Sequence, residues 1–204
     1  MPIPVKSAAH NRLRLPGVSF VASTFQRDLK KKIRHLVQIR RPAGMPTVFG
    51  FVVGSSDGWV LLHSFNSEVF CLDGYDVIRQ SDIRSYCFFD DPRYWRFRAL
   101  RRLKIRPIPP RDICLASLPE LLSSIVARYP LLSVHREVTH RCTTYVGPIV
   151  SMAERSFIIE DADYYGRWTG PHRVRYSDVT RVCFDGGYLN ASAMTAQRLR
   201  RHRP

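Results

Sequence analysis

Two stretches of the chain carry one pattern in one order. The first runs from Val48 to Phe88 and reads VFGFVVGSSDGWVLLHSF, a loop, then GYDVIRQSDIRSYCF. The second runs from Tyr145 to Phe184 and reads YVGPIVSMAERSFIIEDA, a loop, then HRVRYSDVTRVCF. Aligned without a gap over their first half, they put Gly50 on Gly147, Asp57 on Glu154 and Val60-Leu61-Leu62 on Phe157-Ile158-Ile159. Beyond the loop, Ser81-Asp82-Ile83 falls on Ser177-Asp178-Val179 and Cys87-Phe88 on Cys183-Phe184. An internal repeat of this kind constrains the fold more tightly than any composition, because each copy must be the same supersecondary unit.

Inside each copy the pattern is that of β-strands. Apolar and β-branched residues dominate, and Ser55-Ser56-Asp57-Gly58 marks a tight turn. Val60 to Leu62 is apolar without alternation, so that strand is expected to be covered on both faces. Each copy follows a short apolar stripe at helical spacing. Thr24 or Asp28 caps a helix expected through about His35, with Leu29, Ile33 and Leu36 on one side. Ser117, Pro119 and Glu120 form a capping box for a helix through Tyr129, with Leu118, Leu121, Leu122, Ile125 and Val126 as its apolar face. Strands are expected at Leu36 to Arg40 and Leu131 to Val138, and a long hairpin loop from Asp161 to Pro171. The division that follows is a basic arm over 1–24, a helix-plus-strand module over 25–90, a linker over 91–116, a second module over 117–188 and a basic tail over 189–204, part of it a short helix.

A short helix, then Gly50, Asp57 and Leu61, then Asp82-Ile83 before a last apolar strand resembles the plan of Sm-like and SH3-like barrels. The phrase GFVVGSSDGWVLLHSF with LDGYDVIRQSDIRSY is similar to an uncharacterised bacterial family with tandem barrels of this type. The resemblance implies a mainly β chain with short helices, built as two small barrels in tandem, each preceded by a helix. It brings no activity with it. The Sm family's RNA pockets use an Asn after the acid of the second-to-third strand turn and an Arg-Gly pair between the last strands. Here those places hold Val60 and Phe157, then Arg79-Gln80-Ser81 and Arg175-Tyr176-Ser177. The uridine pocket of that family is therefore not carried over.

The chain has 204 residues, a net charge of +15 and a pI near 10.2. That charge favours an acidic partner. It concentrates between Arg93 and Arg111, which hold eight basic residues and no acidic one, interleaved with Tyr94, Trp95 and Phe97. Rings that stack on bases beside guanidinium groups that meet phosphates are the equipment of a single-stranded nucleic-acid site. The candidate contacts are Lys30, Lys31, Lys32 and Arg34 from the first helix region, with Tyr94, Trp95, Arg96, Arg98, Arg101 and Arg102 from the linker. The expected role is a non-enzymatic binding module that touches RNA or single-stranded nucleic acid. The alternative is a protein-interaction module anchored by Trp59, Tyr75, Tyr164, Tyr165 and Trp168.

Chemistry of other kinds finds little support. The five cysteines are scattered, with no Cys-x-x-Cys, so neither a disulfide scaffold nor a zinc ribbon is expected. Cys87 and Cys183 share one repeat position and read as small core residues. This usage points to a reducing compartment, hence a cytoplasmic location. No apolar run is long enough to span a membrane. His135, His140 and Cys142 offer three ligand types at no familiar spacing, His63 and Asp57 lie in one hairpin, and Glu160, Asp161 and Asp163 form the one acidic cluster. None of these sets carries an enzyme, metal or cofactor assignment.

Overall fold

The computed structural model describes residues 22–42, 44–137, 143–163 and 165–200. The protein is mainly β. Helix α1 (Ala22–Lys31) leads into strands β1 (Leu36–Arg40), β2 (Val48–Ser55), β3 (Trp59–Asn66), β4 (Cys71–Arg79) and β5 (Ser85–Phe88). Helices α2 (Trp95–Arg102) and α3 (Leu118–Val126) follow. Then come β6 (Leu132–His135), β7 (Thr144–Gly147), β8 (Ile149–Met152), β9 (Ser156–Ala162), β10 (Trp168–Arg175), β11 (Arg181–Phe184) and α4 (Gly187–Arg200). None of these helices is long and apolar enough to cross a membrane.

The two halves repeat one strand order. In the first, β5, β1, β2, β3 and β4 lie side by side; in the second, β11, β6 and β7 lie side by side and β8, β9 and β10 continue in a separate sheet. A turn of 3-10 helix links β4 to β5 over Gln80–Asp82 and β10 to β11 over Tyr176–Asp178. The aligned glycines occupy one register position: Gly50 is opposite Val37 on β1, and Gly147 is opposite Leu132 on β6. A Cβ at Gly50 would come within 2.9 Å of the His63 carbonyl oxygen, and one at Gly147 within 1.7 Å of the Glu160 carbonyl oxygen. The second strand of each half bends across its neighbour there, and only hydrogen fits. In the second half Pro148 follows at once. With no N–H to give, it ends the ladder, and β7 and β8 fall into different sheets.

The halves do not fold as two separate closed barrels. They form an eight-stranded sheet, β5-β1-β2-β3-β4-β11-β6-β7, and a three-stranded sheet, β10-β9-β8, neither closed on itself among the described strands. The join is β4 against β11, antiparallel, with Tyr75 opposite Phe184 and Ile78 opposite Arg181. The cores follow from this join. Val60, Leu62 and Ile78 pack with Phe25 and Leu29 of α1, whereas Trp59, Leu61, Tyr75 and Val77 pack with Leu121, Ile125 and Phe184 of the second half. Thus β3 and β4 are buried on both faces, which explains the unbroken apolar triplet at 60–62.

Several local expectations need correction. The first helix ends at Lys31, not His35, because the chain reverses at Arg34 (φ 67°) and Leu36 already starts β1. Phe25 and Leu29, one turn apart and fully buried, form the apolar stripe, while Ile33 is exposed. The capping box at α3 stands as read: Ser117 Oγ accepts from the Glu120 N–H at 3.4 Å and donates to its carboxylate at 2.7 Å. The expected hairpin loop at 161–171 is much shorter, since β9 runs to Ala162 and β10 starts at Trp168. The expected linker contains a helix, α2, and the tail helix begins at Gly187.

Candidate nucleic-acid interface

The basic, aromatic segment enters a helix through a turn held by Asp91, and one of its residues is anchored. Asp91 accepts the Arg93 N–H at 2.8 Å, and Tyr94 N–H donates to the Asp91 carbonyl at 3.0 Å, so the chain turns into α2. Leu100 is buried among Leu36, Phe51 and Phe65 of the first half. The helix stops at Leu103, the chain reverses at Lys104 (φ 55°), and Ile105 N–H closes back on the Leu100 carbonyl at 3.1 Å. Leu103 is 58% exposed, and Leu100 is the one buried residue of the helix.

Between α2 and the first half lies a cleft of about 660 Å³. Leu36, Phe51, Phe89, Phe97 and Leu100 give it apolar walls, and Arg34, Arg101, Lys104 and Arg106 stand around them. On another side of α2, Trp95, Arg98, Ala99, Arg102 and Leu103 line a shallower hollow. Trp95 is 56% exposed, with its ring 5.6 Å from Phe70 and the Arg96 guanidinium 4.9 Å away over its face. Tyr94 is partly open, its ring edge-on to Phe89 at 6.0 Å. Arg34, Arg98, Arg101, Arg102, Lys104 and Arg106 have no carboxylate in ion-pair range among the described residues.

The candidate contacts thus divide. Arg34 and Arg101 both line the cleft, though they come from distant parts of the sequence. Trp95, Arg98 and Arg102 form the neighbouring stripe. Lys32 is already engaged by Asp90 and lies 6.0 Å over the Phe88 ring. Arg96 is turned inward, its Nε enclosed without a hydrogen-bond partner among the described residues. Lys30 and Lys31 are exposed at the end of α1 and line neither hollow. Phe97, Lys104 and Arg106 belong to the cleft as well. They sit in the same acid-free run, Phe97 on α2 itself and Lys104 and Arg106 where the chain turns back after it.

A second polar cluster lies in a cleft at the β4–β11 seam. Asp76 is buried and accepts from Arg181 Nε at 2.6 Å, from Cys183 Sγ at 2.8 Å and from Ser64 Oγ at 2.7 Å. His135 Nε2 is 3.4 Å from Cys183 Sγ, and its Nδ1 faces Glu137 at 3.8 Å. Glu137 receives the buried guanidinium of Arg41 from the first half and the Thr180 hydroxyl. A cysteine, a histidine and an aspartate within contact resemble a nucleophilic set, but the charges run the wrong way. Burial, then the Asp76 carboxylate, pushes the Cys183 thiol far up, and burial, then Arg181, takes His135 down to about 4. The thiol stays protonated and the imidazole neutral, so no thiolate–imidazolium pair forms at neutral pH. Cys183, expected as a small core residue, is a member of this polar seam.

The remaining sets resolve plainly. His63 is buried, stacked on Tyr75 at 4.6 Å, and its Nδ1 accepts the Ile108 N–H at 3.1 Å. Asp161 accepts the Val146 N–H at 2.8 Å, and Asp163 caps a turn by accepting from the N–H groups of Tyr165 and Arg167 at 2.9 Å. His140, Cys142 and Tyr164 lie outside the described residues. Of the other aromatic anchors, Trp59 and Tyr75 are buried, Trp168 is half-buried and Tyr165 is exposed. Among the described residues no three His, Cys, Asp or Glu side chains are grouped to hold a metal ion. Comparison with protein-family profiles, curated proteins and solved structures gives no match for this chain.

Proposed function

We propose that the chain is a non-enzymatic module that binds single-stranded nucleic acid, RNA in the first instance, along α2. Each half is read as a bent-sheet unit of the Sm-like and SH3-like plan, the pair standing in tandem. The observation that carries the functional reading is the pairing of Arg34 with Arg101 around a cleft walled by Phe89 and Phe97, without a described carboxylate partner, beside the exposed Trp95. Uncompensated guanidinium groups attract a phosphate chain, and an open indole offers a base a stacking face. Such contacts read backbone and stacking, not base edges, so affinity comes with little sequence preference. The Asn and Arg-Gly positions of the Sm uridine pocket are absent, which agrees with a surface that does not select one base.

The test is fluorescence anisotropy with labelled single-stranded RNA, single-stranded DNA and duplex over a salt series. Single strands are expected to bind through about 150 mM salt, where purely generic charge attraction has largely faded. Trp95→Ala removes one stacking face, worth about 1–3 kcal/mol, and is expected to raise Kd roughly 5- to 150-fold. Equal binding of all three probes that disappears at that salt would overturn the reading.

A further inference from the structure

The join between the halves is a heterologous contact, since β4 of one half meets the last strand of the other. Each half owns one strand of each kind, so the join uses one β4-type edge and one β11-type edge and leaves the counterparts over. The counterpart of β11 is β5, which among the described strands pairs only with β1. The counterpart of β4 is β10, which pairs only with β9. We propose that copies of this chain join head to tail, β5 of one copy pairing antiparallel with β10 of the next in the register that β11 and β4 use inside the chain.

The register is fully specified. Val60 pairs with Ile78 on β4, and its repeat partner Phe157 pairs with Val174 on β10; Leu62 pairs with Asp76, and Ile159 with His172. Ile78 therefore corresponds to Val174 and Asp76 to His172. The internal pairs Arg181–Ile78, Val182–Val77, Cys183–Asp76 and Phe184–Tyr75 become Ser85–Val174, Tyr86–Arg173, Cys87–His172 and Phe88–Pro171 between copies.

Three details of the internal join have a counterpart waiting at the other edge. Arg79 donates from Nη1 across the join to the Ser177 carbonyl at 2.7 Å while Nε holds Asp82. Its repeat partner Arg175 holds Asp178 in the same way, and its side chain is 70% exposed. Gly74 (φ 65°) takes the neighbouring half's backbone so closely that a Cβ would meet the Gly186 nitrogen at 2.5 Å; Gly170 (φ 114°), at the matching place on β10, meets nothing within 4 Å. The Tyr75–Phe184 stack at 5.1 Å becomes Pro171 on Phe88, again ring on ring. Two differences weaken the second contact. Pro171 has no N–H for the ladder, and His172 with Ser85 replaces the Asp76–Arg181 ion pair. The contact is therefore weaker than the internal one and depends on concentration. A heterologous contact of this kind propagates from copy to copy.

The test uses the full chain with His172→Cys. Inside the chain, Cys183 Sγ lies 2.8 Å from Asp76, so a thiol at 172 is expected to meet Cys87 of the next copy. Under a copper–phenanthroline oxidant, cross-linked multimers are expected on a non-reducing gel and are expected to vanish in His172→Cys with Cys87→Ser. Absence of cross-links, or cross-links that persist without Cys87, overturns the proposal. Sedimentation velocity over a concentration series supplies an independent readout. The natural chain is expected to show a concentration-dependent rise in mass. Arg173→Pro removes the N–H that corresponds to that of Val77 on the β11 side of β4, and is expected to sediment as a single copy. A natural chain that stays a monomer throughout also overturns it.

Discussion

Asp76 on β4 and Arg181 on β11 meet at 2.6 Å across the line where the two halves join, and both side chains are largely buried. Burial alone works to raise the Asp76 carboxyl, yet the Arg181 charge and the hydrogen bonds from Cys183 and Ser64 hold it below the usual carboxylate range. Each charge at the join is thus buried on the strength of the other.

Asp76→Ala leaves Arg181 enclosed without its counter-charge. The expected loss is about 3–5 kcal/mol of unfolding free energy, because a stranded buried charge costs more than the pair contributes. Urea denaturation at neutral pH measures it. Asp76→Ala combined with Arg181→Met removes both charges and is expected to recover most of the loss.

Acid destabilises the seam through His135. Its pKa is about 4 in the folded chain against an ordinary 6.5, so the unfolded chain takes up a proton that the folded chain refuses. Stability present above pH 6.5 is expected to fall between 6.5 and about 4, by about 3 kcal/mol in all. Asp76 and Glu137, also held below their ordinary values, add to the loss at still lower pH. Denaturant midpoints at several pH values show the slope, and His135→Gln is expected to flatten it.

Gly147→Ala forces a Cβ to within 1.7 Å of the Glu160 carbonyl oxygen, so the backbone bend must give. A loss of several kcal/mol, or no soluble protein, is expected by the measure of other strained substitutions. Gly58→Ala is the control, since nothing lies within 4 Å of its added carbon and little change is expected.

Arg101→Gln tests the cleft. If Arg101 meets one phosphate, the slope of log K against log salt is expected to shrink by about 0.7 for a single strand. Lys32→Gln, at a residue already engaged by Asp90, is expected to change the slope far less.

Much of the architecture was legible. The repeat predicted two copies of one strand module, and its aligned glycines, Gly50 and Gly147, prove to share a close backbone approach that leaves hydrogen as the one fitting side chain. The apolar triplet at 60–62 predicted two-sided burial but not its cause, which is the second core on the far face of β3. The fusion of the halves was hidden because no local pattern marks which edge a strand offers. Asp76 looked like any acid and Cys183 like any small core residue until Arg181 and His135 were placed beside them. Helix α2 was missed since its run of arginines has one buried apolar anchor, too few for a helical period to show.

The burial of β3 and β4 on both faces bears on how such a chain can change over time. Repeated units that touch only at their ends can be lost, gained or exchanged singly. Here Trp59, Leu61, Tyr75 and Val77 belong by sequence to one unit and by packing to the other. Removing either unit would strip its neighbour of part of that shared core, so the two are bound to persist, vary and unfold as one.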